Sequence, residues 1–329
     1  MNLNTPVELP VGLPPMNQEQ RLLLMGSCFA ENMGVLLAGD KFRVDVNPFG
    51  VLYNPLSISA ALRQVLSGKV YTVGDLFQYR EHWHSPMHHG SFSSVTPVEA
   101  LEVINARLAK VHSELPTLDW LLLTLGTSYV YEQKETGLVV ANCHKQPEKL
   151  FNRRRLEVNE IVADYTELLH TLRQQNPNLK VLFTVSPIRH GRDGMHANQV
   201  SKATLLLAID HLQELFPEQV FYFPSYEIVL DELRDYRFYA DDMLHPSSLA
   251  VNYLWERFAE VFFTKQTQQL MAECNEIRQA LAHKPFHPEA EEYKRFLRQI
   301  VLKIEQLNGK YPYLDFEKET ELCHIRLKK

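Results

Sequence analysis

The chain has 329 residues, of which 45% are hydrophobic, 10% aromatic and 22% charged. This composition is typical of a globular protein with one large core or two domains, and it excludes a disordered or collagen-like chain. The 34 Lys and Arg residues against 40 Asp and Glu give a net charge of −6 without a long basic stripe. We therefore expect a small molecule, and not nucleic acid, as the main partner.

No segment reaches the roughly 18 consecutive apolar residues that a membrane-spanning helix needs. Residues 1–15 include four prolines and do not resemble a secretory signal. We therefore expect a cytoplasmic protein without a membrane span. The four cysteines are far apart in sequence, which is not typical of a zinc site, a redox motif or a disulfide framework. We expect no metal and no cofactor, and the oligomeric state stays open.

Apolar runs that end in small or turn-forming residues alternate with amphipathic segments along the chain. Strands are predicted at residues 21–26, 119–125, 180–185 and 219–223. Helices are predicted at residues 30–39, 97–111, 158–172, 201–216 and 248–263. This alternation predicts a three-layer α/β fold with a parallel sheet over residues 1–264. Residues 265–329 are charged, carry a helical apolar stripe and are predicted to form a C-terminal helical extension.

Small polar side chains follow the first two predicted strands, and an Asp-x-x-His sequence precedes the last helix of the α/β region. Ser27 and Cys28 follow the first strand, and Ser128 follows the second. Ligands of an open parallel sheet bind beyond the carboxyl ends of its strands. A carboxylate at Asp242 can hold one ring nitrogen of His245, which leaves the other nitrogen free to take a proton from a nucleophile. The pattern therefore predicts nucleophilic catalysis at this edge.

Several motifs resemble the signature of the GSCFA family, which is itself similar to the SGNH/GDSL esterase superfamily. They are LMGSCFAEN at 24–32, NPFGVLYNP at 47–55, TLGTS at 124–128, CHKQP at 143–147, DYRF at 235–238 and DMLH at 242–245. The resemblance covers about residues 20–265. It implies a flavodoxin-like, SGNH-hydrolase-like sheet and acyl-ester chemistry.

The resemblance leaves two candidates for the nucleophile. Where the esterases have Gly-Asp-Ser, this chain has Gly26-Ser27-Cys28, which aligns Cys28 with the nucleophile. A thiol at a helix N-terminus ionises more readily, and it needs less help from a base than a hydroxyl does. We favour Cys28, with His245 as base and Asp242 as its orienting partner. Ser27 stays the alternative, because a shift of one residue in the turn would expose its hydroxyl.

By the same resemblance, the oxyanion hole would consist of the nucleophile's N–H, the Gly50 N–H and the Ser128 side chain. The esterases have Gly-x-Asn-Asp where this chain has Gly126-Thr127-Ser128, so a hydroxyl replaces the usual amide donor. Gly50 is equally well explained as a turn glycine with positive φ. Asn47 and Asn54 either position the substrate or cap the helix that starts after Pro55.

Histidines outside the Asp-x-x-His sequence are also candidates for the site. The segment 143–147 could line the crevice with His144, and Lys145 would contact an anionic substrate. The histidine-rich segment 82–89 could bind a metal, since His-x-His places two imidazoles on one side of a strand. We prefer a loop over the pocket, with His89 or Trp83 touching the substrate.

These observations predict an acyl hydrolase or acyltransferase that acts through an acyl-enzyme. Its substrate would be a small-molecule or carbohydrate acyl ester. One alternative is a catalytically inactive binding module for a glycan or an acylated ligand, because two positions of the motif differ from those of active esterases. A further alternative is a metal-dependent enzyme centred on residues 82–89.

Overall fold

The computed structural model describes residues 5–283, 285–287 and 289–328. Its strands are β1 (Arg21–Gly26), β2 (Arg43–Val46), β3 (Phe77–Tyr79), β4 (His82–His84), β5 (Trp120–Leu125), β6 (Tyr129–Gln133), β7 (Val139–Val140), β8 (Phe151–Arg155), β9 (Lys180–Val185) and β10 (Val220–Tyr222). Its helices are α1 (Cys28–Gly39), α2 (Pro55–Leu66), α3 (Pro97–Glu114), α4 (Val158–Gln175), α5 (Met195–Leu215), the single turn α6 (Ser225–Glu227), α7 (Ser248–Phe262), α8 (Lys265–Ala282), α9 (Glu291–Lys310) and α10 (Glu317–Leu327).

Five strands form a parallel sheet in the order β10-β9-β5-β1-β2. Numbered along the chain within the sheet, the order is 5-4-3-1-2, which is the flavodoxin-like order. Leu24, Leu122 and Leu182 lie side by side on β1, β5 and β9. The predicted three-layer α/β fold with a flavodoxin-like sheet is confirmed.

Helices cover both faces of this sheet, which explains why its strands are continuous apolar runs. On one face, Leu22, Leu24 and Trp120 pack against α1 and α7. On the other face, Leu23 and Leu123 pack against α2, α3, α4 and α5. Since alternate residues of a strand point to opposite faces, both sets are buried.

Two smaller sheets lie outside the central one. Strands β7, β6 and β8 form an antiparallel sheet, with Gly137 in left-handed backbone (φ +70°) in the turn between β6 and β7. Strands β3 and β4 form a hairpin in the histidine-rich region. The hairpin follows α2, whereas the three-stranded sheet begins directly after β5.

The predicted strands include neither β2 of the central sheet nor the strands of the two smaller sheets, and helix α5 starts earlier than predicted. Strand β2 has four residues at the sheet edge, and its side chains are largely half-buried, so it lacks the apolar run of the other strands. Helix α5 begins at Met195 and not at residue 201, because its first turns are polar and carry no apolar stripe. Within the described ranges, no helix is long and apolar enough to cross a membrane.

Helices α8, α9 and α10 enclose their own apolar cluster, which includes Leu270, Leu297, Ile304 and Phe316. Ion pairs join these helices to the loop after α1: Lys41 Nζ lies 2.6 Å from a carboxylate oxygen of Glu319, and Arg278 Nη1 lies 3.4 Å from Asp40 Oδ1. The division at residues 264 and 265 stays a prediction.

Candidate active site

The turn after β1 is fixed by close backbone packing. Gly26 has φ +145°, and a Cβ on it would lie 2.2 Å from the Thr124 carbonyl oxygen of β5. The Gly26 N–H donates to Asn47 Oδ1 at 2.9 Å, and the Ser27 N–H donates to Thr124 O at 3.3 Å. Only glycine fits this conformation and this contact. The turn therefore presents the residues that follow it in one orientation.

Ser27 and Cys28 have different surroundings. Ser27 is the N-cap of α1: its hydroxyl is buried and accepts the Phe29 N–H at 3.3 Å. Cys28 is the first residue of α1 and is partly exposed, with its Sγ 3.9 Å from the Tyr53 hydroxyl. The thiol therefore faces the crevice, whereas the hydroxyl stabilises the helix.

Asp242 and His245 form a self-contained turn. His245 Nδ1 lies 2.5 Å from Asp242 Oδ2, and the N–H groups of Leu244 and His245 both donate to Asp242 Oδ1 at 2.9 Å. These backbone bonds, and then the imidazole, lower the pKa of Asp242 to about 2. Both side chains are 47% exposed. With Nδ1 bonded to a carboxylate that stays ionised, Nε2 is the nitrogen available to accept a proton.

Cys28 and His245 lie at the same edge of the sheet. Helix α7 ends beside the amino end of β1, because the Met16 N–H donates to Phe262 O at 2.8 Å and Met16 precedes β1. Helix α7 therefore begins at the carboxyl edge, where α1 also begins, and both helices pack on one face of the sheet. In the described part of the chain, no hydrogen bond joins the Cys28 thiol to His245. Catalytic hydrogen bonds are often long in a free enzyme and tighten with substrate.

The expected oxyanion donors are engaged elsewhere. The Gly50 N–H donates to Asn47 O at 2.8 Å, and Gly50 has φ +76° with a would-be Cβ 2.2 Å from His89 Cβ. The Ser128 hydroxyl is fully buried and donates to Ser201 Oγ at 3.0 Å. The Gly126 N–H donates to the Tyr53 carbonyl at 2.7 Å. Gly50 thus has the surroundings of a turn glycine, and the structure does not bring the Ser128 side chain into the crevice.

The two asparagines have structural partners. Asn54 caps α2, since its Oδ1 accepts the Ser57 N–H at 2.8 Å. Of the two roles predicted for Asn54, this is the helix cap. Asn47 holds the turn after β1 through the Gly26 N–H, and its buried Nδ2 has no partner among the residues described. Asn47 itself has φ +45°, a conformation that asparagine tolerates better than most residues. Asn47 therefore positions the turn and caps no helix.

The other predicted contact residues lie around the β3–β4 hairpin. His89 bonds Ser91 through Nδ1, and its Cβ packs against Gly50. His144 Nε2 lies 2.7 Å from Ser85 O, and burial lowers the pKa of His144 to about 4. Lys145 is exposed, in left-handed backbone with φ +59°. None of the three forms a hydrogen bond with Cys28, Asp242 or His245 in the ranges described.

In the histidine-rich segment, both ring nitrogens of His84 have protein partners. His84 Nδ1 lies 2.7 Å from Ser93 Oγ, and its Nε2 lies 3.2 Å from Tyr79 O. His88 is fully buried. Over residues 5–283, 285–287 and 289–328, no group of three or more His, Cys, Asp or Glu residues is arranged to hold a metal ion.

Three residues that the sequence analysis did not assign lie at this edge. Tyr53 contacts Cys28, and the His190 ring lies edge-on to the Tyr53 ring with centroids 6.0 Å apart. Burial lowers the pKa of His190 to about 4. Lys202 is fully buried and donates to the carbonyls that end β5 and β9, Gly126 O at 2.6 Å and Ser186 O at 2.7 Å. In the sequence, Lys202 lies three residues before Leu205 on an apolar helix face. This position is the signal from which a buried lysine could have been predicted.

The fold and the site together define a flavodoxin-like α/β protein with a thiol and an Asp-His pair at the carboxyl edge of its sheet. The family model described as the GSCFA family matches residues 21–258, and the chain belongs to this family. A second model, described as the GSCFA domain protein C-terminal domain, matches residues 274–329. No curated protein matches the chain.

Solved structures similar to this chain include two esterases. An acetyl xylan esterase from the rumen bacterium Butyrivibrio proteoclasticus is 11% identical, with 75% of this chain and 64% of that chain covered and a TM-score of 0.37. A carbohydrate esterase family 3 structure from Talaromyces cellulolyticus is 12% identical, with 77% and 99% covered and a TM-score of 0.36. At these scores the activity has to be argued from the site itself.

Proposed function

We propose that this protein is an acyl hydrolase or acyltransferase in which Cys28 is the nucleophile, His245 the general base and Asp242 the residue that orients His245. Its substrate is a small-molecule or carbohydrate acyl ester, or the corresponding thioester. The resemblance of residues 20–265 to the GSCFA family, which is itself similar to the SGNH/GDSL esterases, implies this class of reaction, and the surroundings of the individual residues support it.

One observation carries the choice of nucleophile. The Ser27 hydroxyl is buried and accepts the Phe29 N–H, whereas the Cys28 thiol is partly exposed at the first residue of α1. A nucleophile needs access to the substrate and a lone pair that is not engaged in a helix cap. The same helix start favours negative charge on the sulfur as it attacks.

The Asp242-His245 pair supports the role of the base. The carboxylate accepts from the Nδ1 side of the ring at 2.5 Å, so the tautomer with a free Nε2 is favoured. Since the two residues are half-exposed, the imidazole can exchange protons with substrate and solvent. The helix order brings this loop to the edge that carries Cys28.

The reaction proceeds in two balanced steps. His245 Nε2 takes the proton of the Cys28 thiol as the sulfur forms a bond to the acyl carbon. The bond between that carbon and the leaving oxygen or sulfur then breaks, and the leaving group takes the proton from His245. In the second step, water or an acceptor hydroxyl gives its proton to His245 and attacks the acyl carbon of the thioester. The bond between that carbon and the Cys28 sulfur breaks, and the sulfur takes the proton from His245.

The test uses the full chain with p-nitrophenyl acetate and an acetyl thioester. We expect acetate release by the parent and trapping of an acetyl group on the Cys28 peptide, detected by mass spectrometry. Cys28→Ala is expected to abolish both signals, and His245→Ala is expected to lower kcat by about 10²–10⁴-fold. Ser27→Ala is the matched control and should keep the acyl-enzyme.

Two results contradict the proposal. If Cys28→Ala turns over normally and Ser27→Ala does not, the nucleophile is Ser27. If the parent transfers no acyl group to Cys28 while Cys28→Ala and His245→Ala bind an acylated glycan as the parent does, the protein is a binding module.

A further inference from the structure

The candidate site lacks two of the donors that an oxyanion would need. The Gly50 N–H is bonded to Asn47 O, and the Ser128 hydroxyl is bonded to Ser201 and buried. The Cys28 N–H lies in the first turn of α1, where amide groups have no partner within the helix. In the described part of the chain it donates to no other group. A single amide is less than the two or three donors that acyl-transfer sites aim at the developing charge.

The Tyr53 hydroxyl is the polar group in contact with the nucleophile. It lies 3.9 Å from Cys28 Sγ, and among the described residues it has no other hydrogen-bond partner. In a tetrahedral intermediate, the negative oxygen is two bonds away from the sulfur. A donor that contacts the sulfur from the crevice is therefore within reach of that oxygen.

Backbone hydrogen bonds to the turn after β1 and to the end of β5 fix the position of Tyr53. Its carbonyl accepts the N–H groups of Gly126 at 2.7 Å and Thr127 at 3.0 Å, at the end of β5. The preceding Leu52 N–H donates to Gly26 O at 2.9 Å, in the turn after β1. Tyr53 is thus tied to both loops between which the substrate carbonyl would lie. A donor fixed in this way stabilises charge without reorganising during the reaction.

The hydroxyl also keeps its proton. Burial, followed by the neighbouring Cys28 and Glu31, raises the pKa of Tyr53 to about 12. At neutral pH Tyr53 is therefore a hydrogen-bond donor. It neither competes with the thiol as a nucleophile nor repels an anionic intermediate.

We propose that the Tyr53 hydroxyl and the Cys28 N–H together form the oxyanion hole, so that Tyr53 is a catalytic residue that replaces the Gly50 and Ser128 donors. This inference rests on the proposed thiol chemistry at Cys28. The rival explanation is that Tyr53 only hydrogen-bonds the thiol in the free enzyme and sets its reactivity.

Tyr53→Phe separates the two explanations when ester turnover is compared with alkylation of the same sulfur. Removal of one oxyanion donor lowers kcat by about 10²–10³-fold, and we expect this loss for p-nitrophenyl acetate with KM within about twofold of the parent. Iodoacetamide reacts at a saturated carbon and develops no oxyanion. The rate of Cys28 alkylation, read from its peptide across a range of pH, should therefore stay unchanged. Tyr313→Phe, in the turn between α9 and α10, is the matched control.

Each outcome decides the inference. A Tyr53→Phe protein with parental kcat overturns the oxyanion role and leaves the proposed function intact. Parallel losses of kcat and of the alkylation rate also overturn it, in favour of an effect on the thiol. A parent protein that never acylates Cys28 overturns both proposals, and the absence of the acyl-enzyme identifies that case.

Discussion

The fully buried His88 should make folding stability fall in mild acid. Its ring stacks on Phe49 with centroids 4.5 Å apart and lies edge-on to Tyr71, and its Nε2 has no partner among the residues described. Burial, followed by the neighbouring His144 and Lys69, lowers the pKa of His88 from 6.5 to about 3. The folded state therefore holds this imidazole in its neutral form down to well below pH 6.5.

The sign and size of this change in folding stability follow from the linkage between folding and proton binding. Between pH 6.5 and about 3, the unfolded chain binds a proton at His88 that the folded chain does not bind. The stabilisation is thus complete above pH 6.5 and is lost as the pH falls towards 3, at about 1.4 kcal/mol per pH unit. At pH 5 the loss from this one residue is about 2 kcal/mol, a large part of the ~5–15 kcal/mol that keeps a typical protein folded.

His88→Phe tests this reasoning, because phenylalanine suits the aromatic surroundings and does not titrate. Urea unfolding of parent and variant at pH 7.5, 6 and 5, followed by circular dichroism, gives the free energy of unfolding at each pH. We expect the variant to lose about 2 kcal/mol less than the parent between pH 7.5 and 5. The exposed His324→Gln serves as control and should follow the parent. Equal losses in parent and His88→Phe would refute the linkage argument.

Other substitutions probe the turn and the base. Gly26→Ala forces a Cβ against β5 and should lower stability by about 2–6 kcal/mol. Gly90→Ala is the control and should be tolerated, because nothing lies near its Cβ and its φ is not positive. Thermal unfolding compares the two variants. Ser27→Ala removes a helix cap and should lower stability by about 1 kcal/mol while kcat stays within twofold. Asp242→Asn should lower kcat by about tenfold, which is less than the loss expected for His245→Ala, because a thiol needs less help from the base. Equal losses of kcat in the two variants would contradict this order.

The central fold could be predicted because it depends on patterns that recur along the chain. Strands β1, β5 and β9 are apolar on both faces, and the helices between them have regular apolar stripes, so their order alone implied a parallel sheet. Strand β2 was missed because an edge strand of four partly exposed residues carries no such run.

The details of the site depend on tertiary contacts that spacing does not encode. Ser128 follows a strand as a site residue would, but its hydroxyl is bonded to Ser201, 73 positions later. Gly50 matched the family motif, yet the turn uses its N–H internally. Tyr53 lies in the same motif, but its approach to Cys28 follows from two backbone bonds to the end of β5. A motif identifies which segments meet, and only the packing decides which atoms face each other.

The N-cap role of Ser27, by contrast, could have been predicted from local physics. Serine is among the most favoured N-cap residues because its oxygen accepts an N–H of the first turn, whereas a thiol is a weak acceptor. In a strand-Gly-Ser-Cys-helix sequence, the serine is therefore expected to become the cap, with its oxygen turned back towards the helix. The following cysteine then occupies the first helical position with its side chain free. The observed 3.3 Å bond from the Phe29 N–H to Ser27 agrees with this order of preference.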